Sequence, residues 1–556
     1  MQEKVINKSV SSIKIINVTF HVKKLFNKIF SKKTSNIPLW KKLKDDDFNF
    51  DLIEHYFKRK NQTGKFQIIN DQIMNDIDFY ELYMFVDRTH SKIGQQYFYN
   101  QLLTINAKID FNEQEQLVDY FIENEDTRIK TQNLLSKLNR RETYYISNLF
   151  LDGYISKPKW FWVIGLLSVM SLIVLVLTFF YGKFLILLFA IYIVNMGIHY
   201  FWNKKNIMVY MDSIPQLPVL CKIAIGITKL NILPESKQQV IRSIKSLLEL
   251  KNSMKLFKSD SGIRSDIEAA LMFVVEVIKV LFLIEPIIVF WVLKKLEVKR
   301  NDIQTIFEYL GKIDSAISVA TIRQETPSYC KPSFLNTNQT FEFTDIYHPL
   351  IPDCVSNSLK LTNKSVLLTG SNMSGKTTFI RTIAVNLLLA QTINTCFAKS
   401  FVLSQTRLFS AIRITDDLLN DKSYYFEEVL TIKQMITESL SGLNNVFFMD
   451  EIFKGTNTIE RIAAGKAVLS FLAKSNNNRV FVSTHDIELA DLLNDKYDLY
   501  HFTEIVQNDQ INFDYKLKQG NLSTKNAIRI LEINDYPKEI VAEARAIIIS
   551  SPQFQK

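Results

Sequence analysis

"LLTGSNMSGKTTFIRTIA", residues 367–384, decides the fold. It follows the apolar "SVLLT" and leads into a helical pattern, and it satisfies G-x-x-x-x-G-K-[ST] through Gly370, Gly375, Lys376 and Thr377. Glycines let a backbone wrap phosphate oxygens with its N–H groups turned inward, and the helix that follows adds positive potential at its first turn. The stretch Gly370, Ser371, Asn372, Met373, Ser374, Gly375, Lys376, Thr377 and Thr378 is therefore expected to bind ATP. Lys376 would reach the β and γ phosphates, and the Thr377 hydroxyl would ligate Mg²⁺.

Two further strand-like segments supply the chemistry such a loop needs. "NVFFMDE" is an apolar run ending in Asp450 and Glu451. An acid at a strand edge beside the phosphate loop holds Mg²⁺, which assigns Asp450; the adjacent Glu451 is placed to orient and deprotonate the attacking water. "RVFVSTHD" ends in Ser483, Thr484 and His485, and a histidine there can hydrogen-bond the γ-phosphate or the water. Three strand-end motifs in this order predict Mg²⁺-dependent ATP hydrolysis on a P-loop α/β sheet.

These residues resemble the MutS family of DNA mismatch-repair ATPases. "TGSNMSGKTTFIR" is similar to that family's phosphate loop, with Asn372 and Met373 kept and Ser371 in place of its usual proline. "YHPLI" (347–351), "ITDDLLNDKSYYFEEV", "MDEIFKGTNTIER" and "STHDIELADL" resemble its further ATPase segments. "GNLSTKNAIRILEINDYPKEIVAEARAI" resembles the terminal helix-turn-helix that closes the MutS dimer. Upstream, "MFVDRTHSKIGQQYFYNQLL" is similar to the opening of the MutS helical core, and "GKIDSAISVA" with "KPSF" to its close. The resemblance implies a homodimer with composite ATP sites, in which Ser423 and Glu428 act as a signature supplied in trans. Phe79-Tyr80-Glu81 mimics the family's mismatch wedge, but it runs straight into the core-opening segment and reads as structural helix.

Between the two pieces of core lies an apolar hairpin. Phe161–Phe180 and Phe184–Trp202 are runs without a full charge, separated by Tyr181, Gly182 and Lys183, and each is about long enough to span a bilayer. Trp160 and Trp162 stand at one outer end, and Tyr200, Phe201 and Trp202 at the other; Lys157, Lys159, Lys204 and Lys205 flank them. That pattern predicts two membrane spans with both flanks cytoplasmic. A second apolar stretch, residues 271–293, contains Glu276, Lys279, Glu285 and Pro286, and is expected to be core helix kinked or broken at the proline.

Bulk composition fits a helix-rich, multidomain protein. The chain has 556 residues with only 15 Gly and 12 Pro, which disfavours β-sandwiches and propellers. Its four cysteines are widely spaced, indicating neither a zinc site nor a disulfide framework. The net charge of +10 is partly concentrated in residues 1–45, where eleven lysines face the single acid Glu3 ahead of Asp45. This basic amphipathic arm has three open readings: a packed or solvated arm, a helix on anionic lipid, and a DNA contact.

The expected fold is an α/β P-loop ATPase of the ABC/MutS type at the C-terminal end, preceded by a mostly α-helical core interrupted by a two-helix transmembrane hairpin. The expected order is the arm (1–45), first core piece (46–155), hairpin (156–205), second core piece (206–335), ATPase (336–515) and dimerisation segment (516–556). The expected function is a membrane-anchored, dimeric ATPase that couples ATP to binding of DNA, mismatched or branched DNA included. By resemblance the membrane is a bacterial inner membrane, with ATPase and termini cytoplasmic. The alternatives are a MutS-derived membrane ATPase with a non-DNA task and an ABC-type transporter component.

Overall fold

The computed structural model describes residues 44, 48–230, 232–250, 254, 266–335, 340–361, 363–371, 373–413, 424–507, 510–521, 528, 531–532 and 536–550. The basic arm apart from Lys44, Asn372, Ser423 and much of the terminal helix-turn-helix lie outside them.

The nucleotide domain is built on a six-stranded sheet, in the order Lys518–Gln519, Tyr497–His501, Ser365–Thr369, Asn478–Ser483, Asn445–Asp450, Arg407–Ala411. Five strands are parallel, and the two-residue Lys518–Gln519 edge is antiparallel. The central strands are buried along their length, as expected where helices cover both faces of a parallel sheet. The strand ending in Ser483 lies between the phosphate-loop strand and the strand ending in Asp450, so the acid is one strand further from the loop than its motif suggests. Register compensates: Ser483 pairs with Leu368 on one side and Asp450 on the other, which lines all three strand ends in one row.

A second, four-stranded sheet packs beside the first, in the order Ser333–Leu335, Ser400–Ser404, Phe341–Ile346, Asn357–Leu361. Aromatic contacts join the layers: Phe341 to Phe481 at 5.4 Å and Phe343 to Phe379 at 6.1 Å between ring centroids. The nucleotide domain's pairing thus starts before residue 336 and runs past 515, because strands of two or three residues leave no periodic signal in sequence.

The helical part centres on Arg300–Glu325, a 26-residue helix with most of one flank buried. It crosses Lys92–Leu102 at two glycines. A Cβ on Gly94 would meet Asp314 Oδ2 at 2.1 Å, and one on Gly311 would meet Tyr97 Cβ at 2.6 Å. Asp314 is fully buried and accepts from the His90 N–H, the Ser91 N–H and the Ser91 hydroxyl at 2.8, 2.8 and 2.6 Å. Ser91 in turn caps the Lys92–Leu102 helix by accepting the Gly94 N–H at 2.9 Å. Phe79, the wedge mimic, is fully buried in the helix Phe79–Val86, which fixes it as core.

Core and nucleotide domain are joined by buried charge. Asp76 accepts the backbone N–H groups of Ile412 (3.0 Å) and Arg413 (2.8 Å) at the end of the edge strand. Asp78 binds Arg381 of the phosphate-loop helix at 3.2 Å and also binds Arg413. Arg323, at the far end of the long helix, clamps Glu115 at 2.8 and 2.7 Å and donates to Asn394 O and the Thr395 hydroxyl. Asp76→Ala leaves two N–H groups without an acceptor and should lower stability by about 2–3 kcal/mol, with Asp76→Asn losing less. Thermal unfolding of the detergent-purified chain checks this, and equal losses for both variants would contradict it.

The apolar runs form two antiparallel helices, Phe161–Phe180 and Phe184–Asn206, each long and apolar enough to cross a membrane. Trp160 and Trp202 meet edge to face at 5.2 Å at their shared base. Residues 271–293 depart from the core expectation. They divide between Asp266–Leu281 and Ile284–Leu296, and the break falls at Leu283 (φ +46°), ahead of Pro286 rather than at it. The second helix buries Val289, Val292 and Leu293, whereas the first exposes Phe273, Val274, Val275 and Ile278. The proline sits in the first turn of its helix, where its missing N–H breaks no bond.

Candidate nucleotide site

The sheet's C-terminal edge gathers most of the sequence-predicted residues at one cleft of about 460 Å³, lined among others by Ser371, Met373, Ser374, Gly375, Lys376, Thr377, Thr378 and Glu451; His485 lines an adjoining pocket that shares Glu451 with it. The loop's glycines are needed for their backbone. Gly370 has φ +145° and Gly375 φ +107°, and a Cβ on Gly370 would come within 2.5 Å of Phe502 O. Gly375 caps the helix Lys376–Ile393, whose first N–H groups open onto the cleft. Three features of the loop suit it to an anion. Lys376 is buried and folds back onto Gly370 O (2.7 Å) and Ser371 O (2.9 Å). Burial lowers its ammonium pKa, opposed by Asp450, Glu451 and Glu504. The Ser374 hydroxyl is buried without a hydrogen-bond partner.

Thr377 donates its hydroxyl to Asp450 Oδ2 at 2.6 Å, and Asp450 Oδ1 accepts from Ser483. One hydroxyl and one carboxylate side by side suit Mg²⁺, which takes few protein ligands and completes its shell with phosphate oxygens and water. Glu451 follows in a left-handed conformation, φ +55°, so the chain turns and sends its carboxylate back over the cleft. Its N–H donates to Ser483 O at 2.9 Å. His485 Nε2 lies 2.8 Å from Glu451 Oε1, and Lys454 Nζ lies 2.6 Å from Oε2. Burial pushes the Glu451 pKa up, but the Lys454 hydrogen bond and the charges of His485, Lys454 and Lys376 outweigh it and hold the carboxyl below its ordinary value. Arg461 braces the histidine loop through two bonds to Asp486, at 2.8 and 2.6 Å.

The structure corrects Glu428. It is 2% exposed, and its Oε1 accepts the Phe453 N–H of its own chain. Burial raises its carboxyl pKa, partly offset by that bond. Glu428 therefore holds up the loop after Glu451 from within and is not presented to another subunit. Of the implied trans signature only Ser423 remains, and it lies outside the described residues.

Sequence reasoning missed Glu504, Phe502, Tyr515 and the loop 351–355. Ser371 donates to Glu504 Oε2 at 2.6 Å, a bond a proline at that position cannot make. Ile351, Pro352, Cys354 and Val355 line the same cleft, as do Phe502 and Tyr515, which lie against Gly370 and Gly375 of the phosphate loop. Neither group carries a local motif; only the pairing of distant strands assembles them. The same holds for two thiols that look unrelated in sequence: Cys330 and Cys396 exchange backbone hydrogen bonds at 2.9 and 3.0 Å across an antiparallel bridge.

Residues 366–550 match the family model described as MutS domain V. The DNA mismatch repair proteins MutS of Staphylococcus aureus strains JH9 and Newman are similar to this chain, each 28% identical over 265 residues that cover 45% of it and 30% of the relative. The chain thus spans under a third of the length of those curated relatives. The domain that carries the phosphate loop and acidic strand end is thus the part through which the chain is similar to the MutS family.

Proposed function

We propose that the chain is a membrane-anchored, dimeric, MutS-type ATPase that couples Mg²⁺-dependent ATP hydrolysis to binding of DNA, mismatched or branched DNA included. The observation that carries the reading is that Lys376, Thr377 and Glu451 line one cleft, with Asp450 bonded to Thr377 and His485 joined to it through Glu451 from an adjoining pocket. Lys376 and the loop N–H groups bind and orient the phosphates; moving from the loop carbonyls to phosphate oxygens gives the buried ammonium an anionic partner. Glu451 takes the proton of the attacking water. His485 holds that carboxylate in place. Mg²⁺, held by Thr377 and Asp450, would neutralise charge on the phosphates.

The dimer and the DNA partner are carried over from the MutS resemblance, with Ser423 approaching from the second subunit. The anchor is argued from the hairpin: outward-facing apolar side chains along both helices, an aromatic base and flanking lysines. On this reading the membrane is a bacterial inner membrane, with the ATPase on the cytoplasmic side. A non-DNA task on the same engine is favoured by one feature, the hairpin standing where relatives extend towards DNA.

The two tasks separate on filter binding of mismatched, branched and perfect duplexes, with and without ATP. The expected result is binding that weakens steeply with salt and changes with ATP. No binding to any duplex would leave the non-DNA task. Deleting 160–202 is expected to weaken membrane attachment sharply with ATPase retained.

A further inference from the structure

Asn195 is fully buried between the hairpin helices, and its Nδ2 donates to Leu281 O at 2.7 Å and to the Ser171 hydroxyl at 3.4 Å. Leu281 is the last residue of Asp266–Leu281. The bond therefore ties that helix to the hairpin at a fixed height. Asn195 is the twelfth of the 23 residues of Phe184–Asn206, and Ser171 the eleventh of the 20 of Phe161–Phe180. Both stand midway along their helices, about 17 Å and about 14 Å from the turn-side ends at 1.5 Å per residue. A buried amide among apolar side chains is costly unless bonded, so the height cannot slide freely.

Around that tie the outward side chains are apolar. Phe273 is 71% exposed and Val274 53%, Val275 and Ile278 are exposed too, and so are Ile186, Phe189 and Ile193 of the hairpin. Charges near this face are paired: Glu276 with Lys279 at 2.6 Å, and Glu285 with His199 at 3.3 Å. Past the break, Ile284–Leu296 runs to the hairpin's base, where Phe290 lies 4.8 Å from Phe161 and 6.2 Å from Trp202. There Trp291 faces outward with Lys295 Nζ 3.4 Å over its ring, an aromatic and ammonium pair of the kind that sits at a bilayer interface.

We propose that residues 273–291 form a third, broken membrane element in contact with lipid acyl chains, its break at Phe282–Leu283 level with the middle of the hairpin. The inference rests on the membrane reading above: a helix end bonded at the hairpin's mid-height shares whatever surrounds it. The element has a direct route to the ATP site. Ile284–Leu296 passes through the single turn Glu297–Lys299 into Arg300–Glu325, whose Arg323 grips Asn394 and Thr395 at the end of the phosphate-loop helix. Lipid around residues 273–291 is then linked by unbroken chain to the loop that holds phosphate.

The test uses the full chain in vesicles of phosphatidylethanolamine and phosphatidylglycerol, with Val274→Cys, Phe273→Cys, Leu172→Cys on the hairpin and Val298→Cys just past the element. A membrane-impermeant maleimide is applied and labelling is assigned by peptide mass, so the native thiols do not interfere. Cysteines at 273, 274 and 172 are expected to react about tenfold or more slowly than at 298, since hydrocarbon excludes a polar reagent. Rapid labelling at 273 and 274 with 172 protected would overturn the proposal and leave the anchor standing. Rapid labelling at 172 as well would overturn the membrane reading and this element with it.

Discussion

Glu451→Gln is expected to bind ATP normally and to turn it over at least about 10²-fold more slowly, the range a positioned general base contributes. The amide keeps the shape of the carboxylate but has one acceptor oxygen in place of two, so it can accept from only one of Lys454 and His485, and it cannot take a proton from water. No hydrogen bond of the phosphate cradle is made to it: Lys376 bonds to Gly370 and Ser371, and Thr377 to Asp450. The prediction therefore separates binding from turnover. Nucleotide binding should persist while phosphate release falls, and turnover close to that of the unaltered chain would remove Glu451 from the role. The pH profile gives an independent check. A base works in its ionised form, so activity is lost as pH falls through its pKa. Lys454, His485 and Lys376 hold Glu451 below the ordinary carboxyl range despite burial, so the acid limb attributable to it should lie below that range.

Gly94→Ala is expected to lower stability by about 3–5 kcal/mol, the size seen when a buried charged network is broken by overpacking. The added methyl carbon would overlap Asp314 at Oδ2, Cγ and Cβ, at 2.1, 2.5 and 2.8 Å. Because the Cβ is included, rotating the carboxylate away does not relieve the contact, and the two helices must separate. Separation also pulls Asp314 off the His90 and Ser91 N–H groups and uncaps the Lys92–Leu102 helix. Gly153→Ala is the control, since a Cβ there meets nothing within 4 Å. A fall in Tm on the order of 10 °C for the first and none for the second is the expected outcome. Equal Tm values would mean the crossing is looser than the packing indicates. The consequence for function follows from position: this crossing sets where Arg300–Glu325 lies, and that helix joins the apolar element to the end of the phosphate-loop helix.

The sequence by itself determined the features whose chemistry is contiguous in the chain. A phosphate cradle needs its glycines, lysine and threonine within a few residues of one another, and an acid or histidine serves ATP only from the end of an apolar strand, so 367–384, Asp450–Glu451 and His485 were legible as local patterns. The hairpin was legible for the same reason, since an unbroken uncharged run needs no partner to be seen. Tertiary structure alone decided which strand separates the acid from the loop, that Glu428 turns inward, that Glu504 holds Ser371, and that Cys330 faces Cys396. It also divided 271–293 between a helix exposed along Phe273–Ile278 and one that buries Val289, Val292 and Leu293, although both halves are similarly apolar. In each case the deciding partner is distant in the chain, as Glu504 is from Ser371 by 133 positions and Asn195 from Leu281 by 86. Local pattern fixes what a segment can bury or bond; which neighbour it meets is set by packing, where one strand's register or one buried amide selects among chemically equivalent choices.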